Sequence, residues 1–512
     1  MHEIASAMTN RSPYFLAFDY GTGGGKCAIF DADGRCVACV REPWTYEEVD
    51  LGEGSMGRGY AFDPDAFWAA LARCSRAALA EAKLDPAAIA GVSTTAQRLG
   101  TVFLDARGRE IYAGPNMDGR GFAGALDVMG KLGMDAGVKI TGHWPPFVST
   151  LARLISYRST ADHMPVAAIL TLNDWLTYRL TGELTSEPSN AGESLFLDVA
   201  ERRWSSAILE TFDVPAHLLP EVVEPASRVG TVTATAAAQT GLRAGTPVFA
   251  GGGDTQCALL GSDVVEPGEA GAVLGTTTPV MTATAQPLHD ESGKLWTGCH
   301  VIPGRWTLES NAGDTGIAYE WLLGILGLDG AAGFQAAEDA MAAAPQALPS
   351  VVSVAGPQVW DVLNFRPDQA LGFVFPHPPF TRRPVRGDFC AAFLLNVTCA
   401  IRANLEQVEA VLGRPVTTLT LSGGMTRSAA LLRSFAGVVR RPLQVSEDAN
   451  ATALGAAVLA AAGTGAYSSI AEAAQAMVRK RPLEANLTLS GAYEAYYVRW
   501  RALYDAVREL PV

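Results

Sequence analysis

Positive charge is in short supply. Across 512 residues, 39 lysines and arginines face 53 aspartates and glutamates, for a formal net charge of -14. That balance argues against nucleic acid, whose phosphates need a basic footprint. It leaves a phosphorylated small ligand open, because loop amides hold phosphate without net positive charge. Histidine is scarce at seven, and none stands in an HExxH or other metal-ligand spacing. The eight cysteines are scattered; Cys36 and Cys39 have CxxC spacing without a second pair, so structural thiols rather than a zinc site are expected. The opening MHEIASAMTNRSPY has no basic segment followed by an apolar one, and the apolar run at 451–463 is too short to span a bilayer. The expectation is a cytoplasmic protein with reduced thiols and no membrane partner. A Walker A GK[ST] is also missing.

What is present is globular: 48% hydrophobic and 18% charged residues, in a chain long enough for two or more domains. Tyr14–Asp19, Lys26–Asp31 and Arg35–Val40 read as three strands, with glycines 21 and 23–25 in the first turn and Asp33-Gly34 in the second. A strand after the glycines, where a Rossmann unit needs a helix, excludes that fingerprint. Past the middle the pattern returns: a strand-like run to Leu274, then Gly275-Thr276-Thr277, then a strand at Pro279–Ala283. Gly21-Thr22 and Gly275-Thr276 thus mark two similar halves. Ile89–Ser93 and Thr417–Leu421 are further strands, each half alternates strand with helix, and a largely parallel sheet is predicted in each. Asp388–Leu412 reads as a long amphipathic helix.

Near the middle, Val248-Phe249-Ala250 reads as a strand end and Gly251-Gly252-Gly253 as the turn that delivers Asp254. An acid there lies at a strand's carboxyl end, where open α/β sheets put ligands. Two readings of Asp254 stand: a helix cap, or a base acting on a hydroxyl in phosphoryl transfer. Asp19 ends a strand as well and either satisfies turn amides or holds Mg²⁺ through water. Gly21, Thr22, Gly275, Thr276 and Thr277 offer amides and hydroxyls to phosphate oxygens, and the Ser422-Gly423-Gly424 turn would let a flat ring lie on the backbone. Gln97, Arg98, Asp118 and Arg120 are either a solvated polar cluster or the contacts of a polyol. Ser186–Ser194 is a polar loop carrying two carboxylates, and Cys257 is expected to be a buried small residue rather than a nucleophile.

Six stretches in order resemble the FGGY family of carbohydrate kinases over nearly the whole chain. Phe18–Thr22 and Leu274–Thr277 are similar to its two phosphate motifs, Gly251–Asp254 to its catalytic-base motif, and Leu421–Gly424 to its adenosine motif. Leu371–Phe373 with the following helix, and Ala451–Ala457, resemble two further conserved regions. The resemblance implies an α/β fold of two actin-like, ribonuclease H-like ATPase domains around a central cleft. Residues 1–255 would bind sugar, residues 256–512 ATP. It implies Asp254 as general base; ATP at Gly21, Thr22, Gly275, Thr276, Thr277, Gly423 and Gly424; Mg²⁺ at Asp19 and Asp254; and an acceptor at Gln97, Arg98, Asp118, Arg120, Asp254 and Gln256. A homodimer is compatible with it.

There are departures from the family pattern. Asn450 stands where many members carry Glu, and Gln97-Arg98 looks like the glycerol kinase variant. Ser189-Asn-Ala-Gly192 and Gly253-Asp-Thr-Gln256 are similar to bacterial kinases of the autoinducer quorum signal. A ketopentose such as xylulose is the expected acceptor, with the linear quorum-signal polyol and glycerol as alternatives. An actin-like nucleotide-switch ATPase, which phosphorylates no sugar, is the reading from another class.

Overall fold

In the computed structural model, Tyr14–Gly21 is a strand buried on both faces. Leu16, Phe18 and Tyr20 enter one core cluster, while Phe15 and Ala17 enter another. That is why the run is apolar throughout rather than alternating. The structure describes residues 13–52, 57–328, 330–344, 348–364, 371–376, 382–485 and 489–510. The opening residues 1–12 lie outside these.

The first half is built on a six-stranded sheet, ordered Arg228–Thr231, Pro247–Gly253, Ile89–Ala96, Tyr14–Gly21, Gly24–Phe30 and Cys36–Pro43. Tyr14–Gly21 pairs antiparallel with Gly24–Phe30 and parallel with Ile89–Ala96, which is parallel to Pro247–Gly253. The second half carries a seven-stranded sheet. Within it, Glu269–Val273 pairs antiparallel with Thr277–Thr284 and parallel with Thr418–Ser422, which is parallel to Leu443–Ser446. With the edge strands Arg228–Thr231, Trp296–Cys299 and Lys480–Leu483 set aside and the rest numbered along the chain, both sheets run 3-2-1-4-5, so the two halves repeat one topology, as the paired Gly-Thr turns predict. The sheets are mixed rather than largely parallel as expected: only Ile89–Ala96 and Thr418–Ser422 are parallel to both neighbours, and the remaining pairings are antiparallel.

Helices cover these sheets. Pro64–Ala82 starts with Pro64 and is capped by Asp63, whose carboxylate accepts the amides of Asp65 and Ala66. Arg386–Leu412, long and apolar enough to cross a membrane, has 83% of its most apolar window buried, which marks it as the core helix of the second half.

Two helices join the halves. Asp254–Leu260 leaves the end of the Pro247–Gly253 strand, and Ala451–Gly463 packs its alanines against the first sheet, sharing a core with Phe15, Phe30 and Phe249. The two helices touch backbone to backbone. A Cβ on Gly261 would lie 1.9 Å from the Ala451 carbonyl oxygen, and one on Gly455 would lie 1.9 Å from that of Cys257.

The three central glycines differ from expectation. They form no turn: Gly251, Gly252 and Gly253 complete the strand, and the helix begins directly at Asp254. None has a positive φ. Their function is proximity, since a Cβ on Gly251 would lie 1.6 Å from the Thr94 carbonyl oxygen and one on Gly252 2.4 Å from Val301.

Gly455→Ala should therefore lower the apparent melting temperature, reflecting about 1–3 kcal/mol of overpacking. Gly491→Ala, in a helix where an added Cβ meets nothing within 4 Å, should be neutral or slightly stabilising. Scanning calorimetry of both variants checks the pair.

Candidate active site

The carboxyl ends of the central strands of both sheets open on one cavity of about 450 Å³. From the first half it is lined by Asp19, Gly21, Thr22, Lys26, Arg98, Asn116 and Asp254. From the second it is lined by Gly275, Thr276, Thr277, Trp296, Asn311 and Trp360. The two Gly-Thr turns thus face a common space. The Gly275 turn is anchored from behind: its carbonyl accepts the Gly316 amide at 3.1 Å, and the Thr276 carbonyl accepts the Thr315 amide at 3.1 Å. Thr276 and Thr277 are exposed towards the opening.

Asp254 is the first residue of its helix. One carboxylate oxygen accepts the Thr255 amide at 2.7 Å and the Thr255 hydroxyl at 3.2 Å. The capping position itself belongs to Gly253, which makes no side-chain bond. Burial pushes the Asp254 carboxyl up to about 6; Arg98 opposes this and the negative charge of Asp19 adds to it. Asp19 is ion-paired with Lys26 at 2.9 Å. Lys26 comes from the return strand of the first hairpin and lies opposite Asp19 in the ladder register. Among the described residues no trio of His, Cys, Asp or Glu could enclose a metal. Two cleft carboxylates with open space between them instead fit Mg²⁺, which takes one or two carboxylates and otherwise binds water and phosphate.

Arg98 is the electrostatic centre of the cluster beside Asp254. It donates to Glu193 at 2.9 Å and bidentately to Glu309 at 2.6 and 2.8 Å. Glu193 belongs to the first half and Glu309 to the second, so one guanidinium bridges both. His143 Nε2 lies 3.3 Å from the second oxygen of Glu193. Burial works against the Glu193 charge, yet Arg98 and His143 hold its carboxyl down at about 2. Burial likewise opposes charging of His143, but Glu193 raises its pKa overall.

The remaining sequence-predicted residues divide. Gln256 is fully buried beside this cluster, and neither its amide nitrogen nor its amide oxygen has a hydrogen-bond partner. A Cβ on Gly253 would lie 2.7 Å from that oxygen and 3.2 Å from Arg98 Cγ, which places the three together. Gln97 is used internally: its amide donates to the Tyr46 hydroxyl at 2.9 Å and accepts the Thr22 hydroxyl at 3.0 Å. Asp118 and Arg120 are not brought to the cavity. Asp118 is fully buried, pairs with Arg120 at 2.9 Å, and accepts the Tyr60 amide and the Tyr112 hydroxyl. Arg153 Nε stands 3.7 Å away. Gly423 and Gly424 lie behind the second Gly-Thr turn, where the Met425 amide donates to the Leu274 carbonyl and a Cβ on Gly423 would be 2.5 Å from the same oxygen.

Asn450 begins the Ala451–Gly463 helix and accepts a weak bond from the Cys39 thiol at 3.6 Å. Cys36 and Cys39 are partly buried free thiols, and Cys257 is buried, with its thiol pushed up by that burial. Sequence reasoning missed Lys26, Asn116, His143, Glu309, Trp296 and Trp360 as residues around the site. Asn116 alone carried a signal, lying two residues before Asp118 in the same polar turn; it donates to the Thr22 hydroxyl at 3.0 Å.

Known proteins match this chain along most of its length. The model of the FGGY family of carbohydrate kinases, N-terminal domain, matches residues 14–261, and that of its C-terminal domain matches residues 270–464. The autoinducer-2 kinase of Yersinia enterocolitica is 30% identical over 97% of this chain and 95% of its own length. The crystal structure of a xyloylose kinase from Brucella ovis is 25% identical, covers 96% of this chain and 99% of its own, and superposes with a TM-score of 0.80. Plasmodium falciparum glycerol kinase with ADP, 19% identical over 98% of this chain and 99% of its own, shares the fold with a TM-score of 0.81.

The Glu193 carboxyl, held at about 2, contributes stability that is present above the ordinary carboxylate range and is lost as pH falls towards 2. Glu193→Gln should therefore melt well below the wild type at pH 7, and the gap should narrow as pH falls below about 4.5. Thermal melts from pH 7 to pH 3 check this.

Proposed function

The chain belongs to the FGGY family of carbohydrate kinases and is an ATP-dependent phosphotransferase acting on a sugar or polyol, and from that premise we propose Asp254 as its general base and a short open-chain polyhydroxy ketone as its acceptor. One observation supports the first assignment above others: Asp254 shares a single cavity with both Gly-Thr turns and with Asp19. In this reading the triphosphate lies between Gly21-Thr22 and Gly275–Thr277, the adenosine end lies towards Gly423-Gly424, and the acceptor sits towards Arg98 and Gln256. Asp254 takes the proton of the acceptor hydroxyl as its oxygen attacks the γ-phosphorus; the bond to the β–γ bridging oxygen breaks and ADP leaves. Asp19, with Asp254, would hold Mg²⁺, which would neutralise phosphate charge when bound. Lys26 screens Asp19 until the nucleotide arrives. Residues 1–255 carry the acceptor side and residues 256–512 the nucleotide side.

A buried amide with two unmet hydrogen-bonding ends, Gln256, supports a hydroxyl- or carbonyl-bearing acceptor, because such a group costs stability when left unpaired. Within that class the linear autoinducer-2 signal is favoured by the 30%-identical relatives and by the Ser189–Gly192 segment. A ketopentose such as xylulose is the second reading, favoured by the 25%-identical xyloylose kinase.

A coupled ADP-release assay with xylulose, ribulose, glycerol and the linear autoinducer-2 precursor tests the acceptor class. One of the five-carbon ketones should exceed glycerol by about tenfold or more in kcat/KM, the scale on which a site built to bond a given polar group discriminates. Glycerol turned over equally well or better would refute the class. For the base, Asp254→Asn should fold normally and lose about 10²–10⁴-fold in kcat. Because the base works only when ionised, wild-type kcat/KM should rise with pH up to about 6 and level off above it, as a pH–rate profile would record.

A further inference from the structure

Behind the strand-to-helix junction at Asp254 lies a buried polar patch that the phosphoryl transfer described above does not use. It holds two carboxylates, Asp174 and Glu187, that burial pushes up to about 7 and about 8. Asp174 is satisfied locally by the Thr171 hydroxyl at 2.7 Å, the Ser186 hydroxyl at 2.8 Å and the Asn173 amide at 3.1 Å. Glu187 accepts the backbone amides of Ser189 at 2.7 Å and Asn190 at 3.2 Å, and the Ser189 hydroxyl at 2.8 Å. The chain continues in one direction only: the Gly253 amide donates to Ser189 Oγ at 2.9 Å. Both Ser189 and Glu187 are 1% exposed.

Gly253 is the residue immediately before Asp254 and the cap of its helix, and it has no side chain to restrain its own backbone. Glycine is needed there for close approach, so restraint has to come from outside. Ser189 supplies it. A hydroxyl oxygen has two lone pairs, so the bond from the Gly253 amide persists whether Glu187 is ionised and accepts from the Ser189 hydroxyl, or is protonated and donates to it. The contact is tight, since a Cβ on Gly252 would lie 2.9 Å from Ser189 Oγ.

We propose that Ser189, oriented by Glu187, is a positioning residue for phosphoryl transfer, its hydroxyl oxygen fixing the Gly253 amide and so the direction in which the Asp254 carboxylate meets the acceptor. The inference rests on the reading of Asp254 as base. Misdirection of a base lowers the rate of the chemical step and leaves ground-state binding largely alone.

Steady-state kinetics test it, using the acceptor of the panel above that the wild type turns over fastest. Ser189→Ala should lower kcat about tenfold or more and leave KM for ATP and acceptor within about twofold. Ser189→Cys, of similar size but a weak acceptor, should fall between that variant and the wild type. Ser186→Ala is the control: its hydroxyl serves Asp174 in the same patch and does not reach the Gly253–Asp254 junction. It should lower the melting temperature comparably and keep kcat. Wild-type kcat in the Ser189 variants, or an equal loss in Ser186→Ala, overturns the proposal. Asp254→Asn separates the two levels: if it is inactive while Ser189→Ala is normal, the base stands and the positioning role falls, whereas an active Asp254→Asn, or no turnover of any acceptor, removes the premise itself.

Discussion

Two carboxylates of like charge face one cavity, and much of the architecture serves to make that tolerable. Each has a cation of different origin. Lys26 reaches Asp19 from the adjacent hairpin strand, so that pairing is fixed by ladder register alone. Arg98, in the turn after Ile89–Ala96, acts on Asp254 through its charge and is itself held by Glu193 and Glu309. A buried guanidinium with two carboxylates costs desolvation that only good geometry recovers. The bidentate contact with Glu309 supplies that geometry, and it comes from the other half of the molecule. The ionisation of the acid at the centre of the cleft is thus coupled to how the halves meet.

The repeat was the most legible part of the chain. Gly21-Thr22 and Gly275-Thr276 announced two sheets of like order, and apolar runs such as Tyr14–Asp19 located the buried strands to within a residue or two. Helices with local signals were legible for the same reason: Pro64–Ala82 has its cap and its proline in the sequence itself. The central glycines were found but misjudged in kind. Triple glycine reads as a turn by local chemistry, whereas the cause lies outside the segment, in the Thr94 carbonyl and Val301 pressing on either side.

The sequence alone marks Asp19, Asp254 and the Gly-Thr turns by their place at or near strand ends, and all of them line the same cavity. The candidate site was not legible where function depends on which charge meets which. Asp118 and Arg120 resemble ligand contacts in sequence, but they satisfy each other, with Arg153 and Tyr112 beside them. Glu309 and Trp296 lie on antiparallel strands far along the chain from Arg98, and nothing local marks them. The two carboxylates of the Ser186–Ser194 loop were visible as a pair. Only the fold separates them, sending Glu193 towards Arg98 and Glu187 towards Ser189 behind the Gly253–Asp254 junction.

The crossing of the two joining helices has a mechanical consequence. Gly261 and Gly455 bring main chain against main chain, a contact with no flexible side chain to cushion separation or sliding. Such a joint permits rotation far more readily than translation. Asp254 begins one of the two helices that form it, three residues before Cys257, whose carbonyl faces Gly455. A rotation there would reorient the two Gly-Thr turns, which belong to different halves, while the main-chain contact beside Asp254 stays closed.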